Sequence, residues 1–187
     1  MKQILLFLIV LISCAGCTYQ FRKYEAKIDQ ADSLMERHPD SVRQALGILD
    51  SLKLENSNFS KGMKMHYQLI YAKGMNKGFI DFTTDSVMKQ VADYYDDNGT
   101  SNEKMLAHYL LGCAYRDMGE YPAALSCYND AVEKSDTTDA ACDYHMLTRI
   151  YQQEGDLFLH QNMPKMQRKF WKKQKRQHGL PKIPWRH

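Results

Sequence analysis

The chain has 187 residues, enough for one domain with a real core or for several small stacked units. A hydrophobic fraction of 44% and a charged fraction of 25% are ordinary for a globular protein. The net charge of +3 conceals a split: residues 164–187 hold nine Lys and Arg with no Asp or Glu, whereas residues 18–163 carry 15 basic against 22 acidic residues. An acidic body is joined to a basic tail.

The N-terminus reads MKQILLFLIVLISCAGC, with Lys2 followed by an unbroken apolar run from Ile4 to Ile12. Spanning a hydrocarbon core of ~30 Å needs roughly 20 residues, so this run is too short to cross a membrane. With the small residues Ser13, Ala15 and Gly16 after it, the segment is expected to be an export signal over residues 1–17. Its end resembles a bacterial lipobox, in which two small residues precede a cysteine that is diacylated after cleavage. Ala15-Gly16-Cys17 matches the last three positions and Cys14 stands where leucine is usual, while Leu11-Ile12-Ser13-Cys14 forms an alternative box. The resemblance implies an exported chain lipidated at Cys17, or at Cys14, and anchored in a bacterial outer or inner membrane. A plain cleaved signal with incidental cysteines is the other reading.

Beyond residue 17 the apolar positions recur at helical spacing, and no alternating run is long enough for a strand. The first predicted helix covers Phe21–Arg37 and is broken at His38-Pro39-Asp40, because the residue before a proline disfavours the helical region. A second covers Ser41–Leu52 with Asp40 as its N-cap. Ser60–Met75 and Ser86–Asp96 follow, the latter capped by Thr84 or Asp85 and stopped by Asn98-Gly99 through a positive φ. The remaining helices are Asn102–Met118, Pro122–Lys134 and, after a polar link, about Ala141 to His160. The expected fold is all-α, with antiparallel hairpins stacked as an array and not closed into one bundle. The division expected is a hairpin at 18–57, helical repeats at 58–163 and a poorly ordered basic tail at 164–187.

The stretch LLGCAYRDMGEYPAALSCYNDA, residues 110–131, carries the clearest pattern. Leu111, Gly112, Tyr115, Ala124, Tyr128 and Ala131 fall at signature positions of a 34-residue unit over Met105–Thr138, and the chain resembles a tetratricopeptide repeat there. His108 stands where an aromatic is usual and Asp136 where proline is usual. Small residues at Gly112 and Ala124 suit a close helix crossing, the larger ones suit the layer between hairpins, and Gly119-Glu120-Tyr121-Pro122 suits the turn. A second unit begins near Thr148, with Tyr151, Gly155 and Phe158 in register. Residues 18–160 as a whole resemble the tetratricopeptide-repeat lipoproteins common in Bacteroidota. That resemblance implies a concave surface for a peptide or protein segment, with Tyr109, Cys113, Arg116, Gln152 and Asp156 pointing toward it.

Chemistry-bearing patterns are sparse. Cys113 and Cys127 sit at mirrored distances from one turn, so an exported chain could oxidise them, or they are two small buried thiols. The spacing of His and Cys fits no metal motif, and the chain has no nucleophile elbow, Walker glycine loop or dinucleotide fingerprint. No cofactor, metal or enzymatic activity is expected. The Asp-Ser-apolar triplets at Asp32, Asp40, Asp50 and Asp85 resemble an O-glycan acceptor of exported proteins in the same phylum, or are helix caps and surface. The basic tail, with Phe170 and Trp171 among its cations, has three readings: a nucleic-acid binder, which export disfavours, a membrane-surface clamp, and a truncated or frame-shifted end. The function expected is a non-enzymatic scaffold at the cell envelope that binds a protein or peptide and no nucleic acid. The alternative is a remnant of a longer envelope sensor or regulator.

Overall fold

The computed structural model describes residues 21–55 and 59–160. The expected signal segment, both candidate lipidation sites and the basic tail lie outside the described residues. Every regular element among those described is helical, so the fold is all-α. The chain divides into two compact units, the first ending at Asp81 and the second starting at Phe82. None of the described helices is long and apolar enough to cross a membrane.

The first unit comprises α1 (residues 21–37), a 3-10 turn at Pro39–Ser41, α2 (Val42–Asp50) and α3 (Lys61–Lys77). Ile28, Ala31 and Met35 recur on one face of α1 and are fully buried. They meet Ala45, Leu49 and Leu52 from α2 and its exit, and Met63, Tyr67 and Ile70 from α3. A run of rings extends this core, with centroids 5.2 Å apart for Tyr24–Phe59 and 5.8 Å for both Phe59–Tyr67 and Tyr67–Tyr71. Asp40 does not cap α2: Pro39 opens the 3-10 turn, which places Asp40 inside it, and neither helix start has a side-chain cap. Ser60 does cap α3, its Oγ accepting from the Met63 N–H at 3.3 Å.

Helices α1 and α3 run in the same direction. Their ion pairs advance together along both: His66 Nε2 lies 3.9 Å from Asp29, Lys73 Nζ 2.6 Å from Asp32 and 2.8 Å from Glu36, and Lys77 Nζ 2.9 Å from Glu36. The second helix packs closely on the third because Gly74 has no side chain; a β-carbon there would stand 2.8 Å from Leu46 Cδ2.

The second unit comprises α4 (Ser86–Asn98), α5 (Ser101–Asp117), α6 (Tyr121–Lys134) and α7 (Tyr144–His160), packed in chain order. Gly99 has φ −95° and is extended, not left-handed as the sequence predicts. The next helix begins at once, and Thr100 must be extended to cap it. Thr100 Oγ1 accepts from Glu103 N while the Glu103 carboxylate accepts from Thr100 N, a complete capping box. The positive φ occurs instead at Gly119, +80°, in the turn between α5 and α6. Asp96 ties three helices together, with its Oδ1 3.0 Å from His108 Nε2 and 2.7 Å from Lys134 Nζ. The start of α7 is held by Asn102, whose amide donates to Ala141 O at 2.7 Å and whose Oδ1 accepts from Asp143 N at 3.0 Å. Asp143 then caps Met146 N at 2.9 Å, so α7 starts at Tyr144, not Ala141.

Candidate interaction surface

The α5–α6 hairpin positions the residues singled out by the sequence. Gly112 sits against α6, where a β-carbon would collide with the Tyr128 ring and stand 3.2 Å from Ala124 O, so Gly112 and Ala124 touch across the crossing. Leu111, Ala124, Tyr128 and Ala131 are buried. Tyr115 is half-buried, with the Lys89 ammonium 5.5 Å from its ring centroid.

Of the five residues expected to face a groove, two are interior. Tyr109 is 2% exposed and Cys113 0%. The cause is Tyr128: its ring stacks on Tyr109 with centroids 5.8 Å apart, and its hydroxyl donates to Cys113 Sγ at 3.7 Å. Burial disfavours the charged forms of Tyr109, Tyr128 and Cys113 and raises their pKa values above the ordinary ones. A neutral thiol wedged between phenols is a packing group and a poor nucleophile.

Arg116 lies one turn further on, half-buried at the rim. Its Nε and Nη2 reach Asp117 Oδ1 at 2.9 and 2.7 Å, and Nη1 donates to the side-chain oxygen of Gln153 on α7. Asp117 Oδ2 in turn accepts from Phe82 N at 3.1 Å. Arg116 thus joins α5 to α7 and fixes their parallel alignment, as Asn102 does at the other end. Gln152 and Asp156 are exposed on α7. The helix partner of Arg116 is therefore Gln153, one residue from the position the repeat register selects.

The three described cysteines are free. Cys113 faces Tyr128, whereas Cys127 sits among Asp130, Lys89 and Asp85, and burial together with Asp130 pushes it up to about 11. Among the described residues no group of His, Cys, Asp and Glu is placed to hold a metal ion. Glu154 of α7 carries no motif, yet it is 0% exposed and neither carboxylate oxygen has a hydrogen-bond partner among the described residues. Its only sequence signal is its phase, on the stripe Leu147, Ile150, Tyr151 and Phe158, all of them buried.

Compared with known proteins, the chain matches no family model, no curated protein and no solved structure.

Proposed function

We propose that this chain is a lipid-anchored scaffold of the tetratricopeptide-repeat type, which binds a protein segment at the bacterial cell envelope and catalyses no reaction. The observation that carries this reading is the α5–α7 arrangement. One hairpin crosses at Gly112 and Ala124, and the next helix lies alongside the first in the same direction, locked by Asn102 and Arg116. Stacked hairpins whose first helices run parallel leave a row of those helices as a continuous face. On that face Arg116, Gln152 and Asp156 supply a cation, an amide and a carboxylate, the groups that read the backbone and side chains of an extended segment. The raised thiol and phenol pKa values, which keep both groups neutral, argue for packing and against nucleophilic chemistry.

The test is capture from envelopes by the intact chain, compared with a variant carrying Gln152→Ala and Asp156→Ala. Both positions are exposed, so the variant should keep its helical fold, read by circular dichroism, while the captured partner should fall severalfold. Equal recovery of the same partner by both proteins would remove α7 from the binding face.

A further inference from the structure

The two ends of the first unit differ in charge. Three chain stretches converge there: the Tyr24 hydroxyl donates to Glu55 Oε2 at 3.0 Å, the Tyr24 and Phe59 rings lie 5.2 Å apart, and Lys27 Nζ reaches Ser51 Oγ at 3.5 Å. The beginning of α1, the turn after α2 and the beginning of α3 therefore share one end. Two large apolar side chains stand out from it, Leu54 at 93% and Phe21 at 42% exposure.

The same end is basic. Residues 21–28, 51–55 and 59–64 hold six Lys and Arg against two Glu. At the opposite end, residues 35–43 and 73–81 hold four against three, and Lys73 and Lys77 are already paired there with Asp32 and Glu36. Apolar groups protrude at the opposite end too, Phe79 at 95% and Ile80 at 47% exposure, so what sets the first end apart is that its protruding apolar groups lie within an excess of cations.

We propose that this end of the first unit rests on the anionic phospholipid surface of the bilayer that holds the acylated cysteine, with Leu54 and Phe21 entering the headgroup region and Arg22, Lys23, Lys53 and Lys64 lying over it. The proposal rests on the lipid-anchor reading. Only Thr18, Tyr19 and Gln20 separate Cys17 from α1, a reach of at most about 14 Å, so the anchor delivers this end and no other to the membrane. The far end of α1 is about 25 Å away along the helix axis. Each cation near an anionic surface raises partitioning roughly fivefold. Tethering makes even weak docking persistent, because the surface is present at high effective concentration. The consequence is orientation: the unit stands upright, with α1 and α3 rising from the bilayer.

The experiment uses the full lipidated chain carrying W171F and W185F, so that one introduced tryptophan reports. In vesicles of phosphatidylethanolamine and phosphatidylglycerol with brominated acyl chains, L54W emission should shift to the blue and be quenched. F79W, at the far end, should be neither shifted nor quenched. Lys23→Glu with Lys53→Glu, or vesicles of phosphatidylcholine alone, should abolish the L54W quenching while the protein stays attached through its acyl chains. An acylated chain whose L54W emission is unquenched overturns the surface assignment and leaves the anchor standing; the patch then serves a protein partner or none. A mass spectrum showing no acyl chain on Cys17 or Cys14 overturns both.

Discussion

Phe79 occupies a conformation that side chains avoid. It has φ +55° and is 95% exposed, just past the end of α3. The hydrogen bonds explain why the chain goes there: Ile80 N reaches Met75 O at 2.9 Å and Phe79 N reaches Asn76 O at 3.3 Å. This is the six-residue reversal that closes a helix through one left-handed residue. The end of α5 makes the same pair of bonds, Glu120 N to Tyr115 O at 2.8 Å and Gly119 N to Arg116 O at 3.0 Å, but puts Gly119 at the left-handed position. In α3 the glycine is one residue early, at Gly78 with φ −85°. Phe79→Gly should therefore raise stability by about 0.5–1 kcal/mol, since steric strain is relieved and no packing is lost. Thermal unfolding checks this, and a lower melting temperature would show that the Phe79 ring is held against something. The strain was not legible in the sequence, whose apolar spacing ends the helix at Met75; only the hydrogen-bond register shows which residue turns.

Among the elements, the crossing of α5 and α6 is where sequence pattern and packing agree most closely. Gly112→Ala places a methyl group into the Tyr128 ring, which is itself pinned between Tyr109 and Cys113. Overpacking of this kind costs about 1–3 kcal/mol, so the expected result is a clear loss of stability in denaturant titration, recovered in part by Tyr128→Leu. If Gly112→Ala is neutral, α6 is free to move away and the hairpin is not tightly set. The helices were legible because apolar side chains recur with the helical period, and α1 spans the expected residues. What was not legible is whatever depends on a second element. Helical phase places Tyr109 and Cys113 on a face of α5 but does not say that Tyr128 crosses in front of them. The register of α7 selects Gln152, while the angle of packing brings Gln153 to Arg116. Asn98-Gly99 has the composition of a left-handed stop, yet the capping box of the following helix requires an extended chain.

At the scale of the molecule, the two units carry buried charge in opposite ways, which makes their responses to pH differ. In the first unit burial would raise Glu36, but hydrogen bonds from Lys73 and Lys77 outweigh it and lower the carboxyl to about 2. The stability this gives is present above the ordinary value of 4.5 and is lost as pH falls toward 2. Because half of the Glu36 side chain is exposed, solvent screens much of the effect. In the second unit burial alone pushes Glu154 up from 4.5 to about 8. Folded Glu154 stays protonated through neutral pH while the unfolded chain ionises, so stability is full below 4.5 and is lost as pH rises toward 8. Its steepest fall is about 1.4 kcal/mol per pH unit, and between pH 5 and 8 the Glu36 contribution does not change. Amide hydrogen exchange, corrected for intrinsic rates, should then show protection in α7 declining across that interval with no matching change in α1. Glu154→Gln, which removes the titration and keeps the shape, should flatten the decline. Protection in α7 that is level from pH 5 to 8 in the unaltered chain would mean that Glu154 is ionised and satisfied, and the end of the second unit would then be packed differently from the arrangement on which the binding face depends.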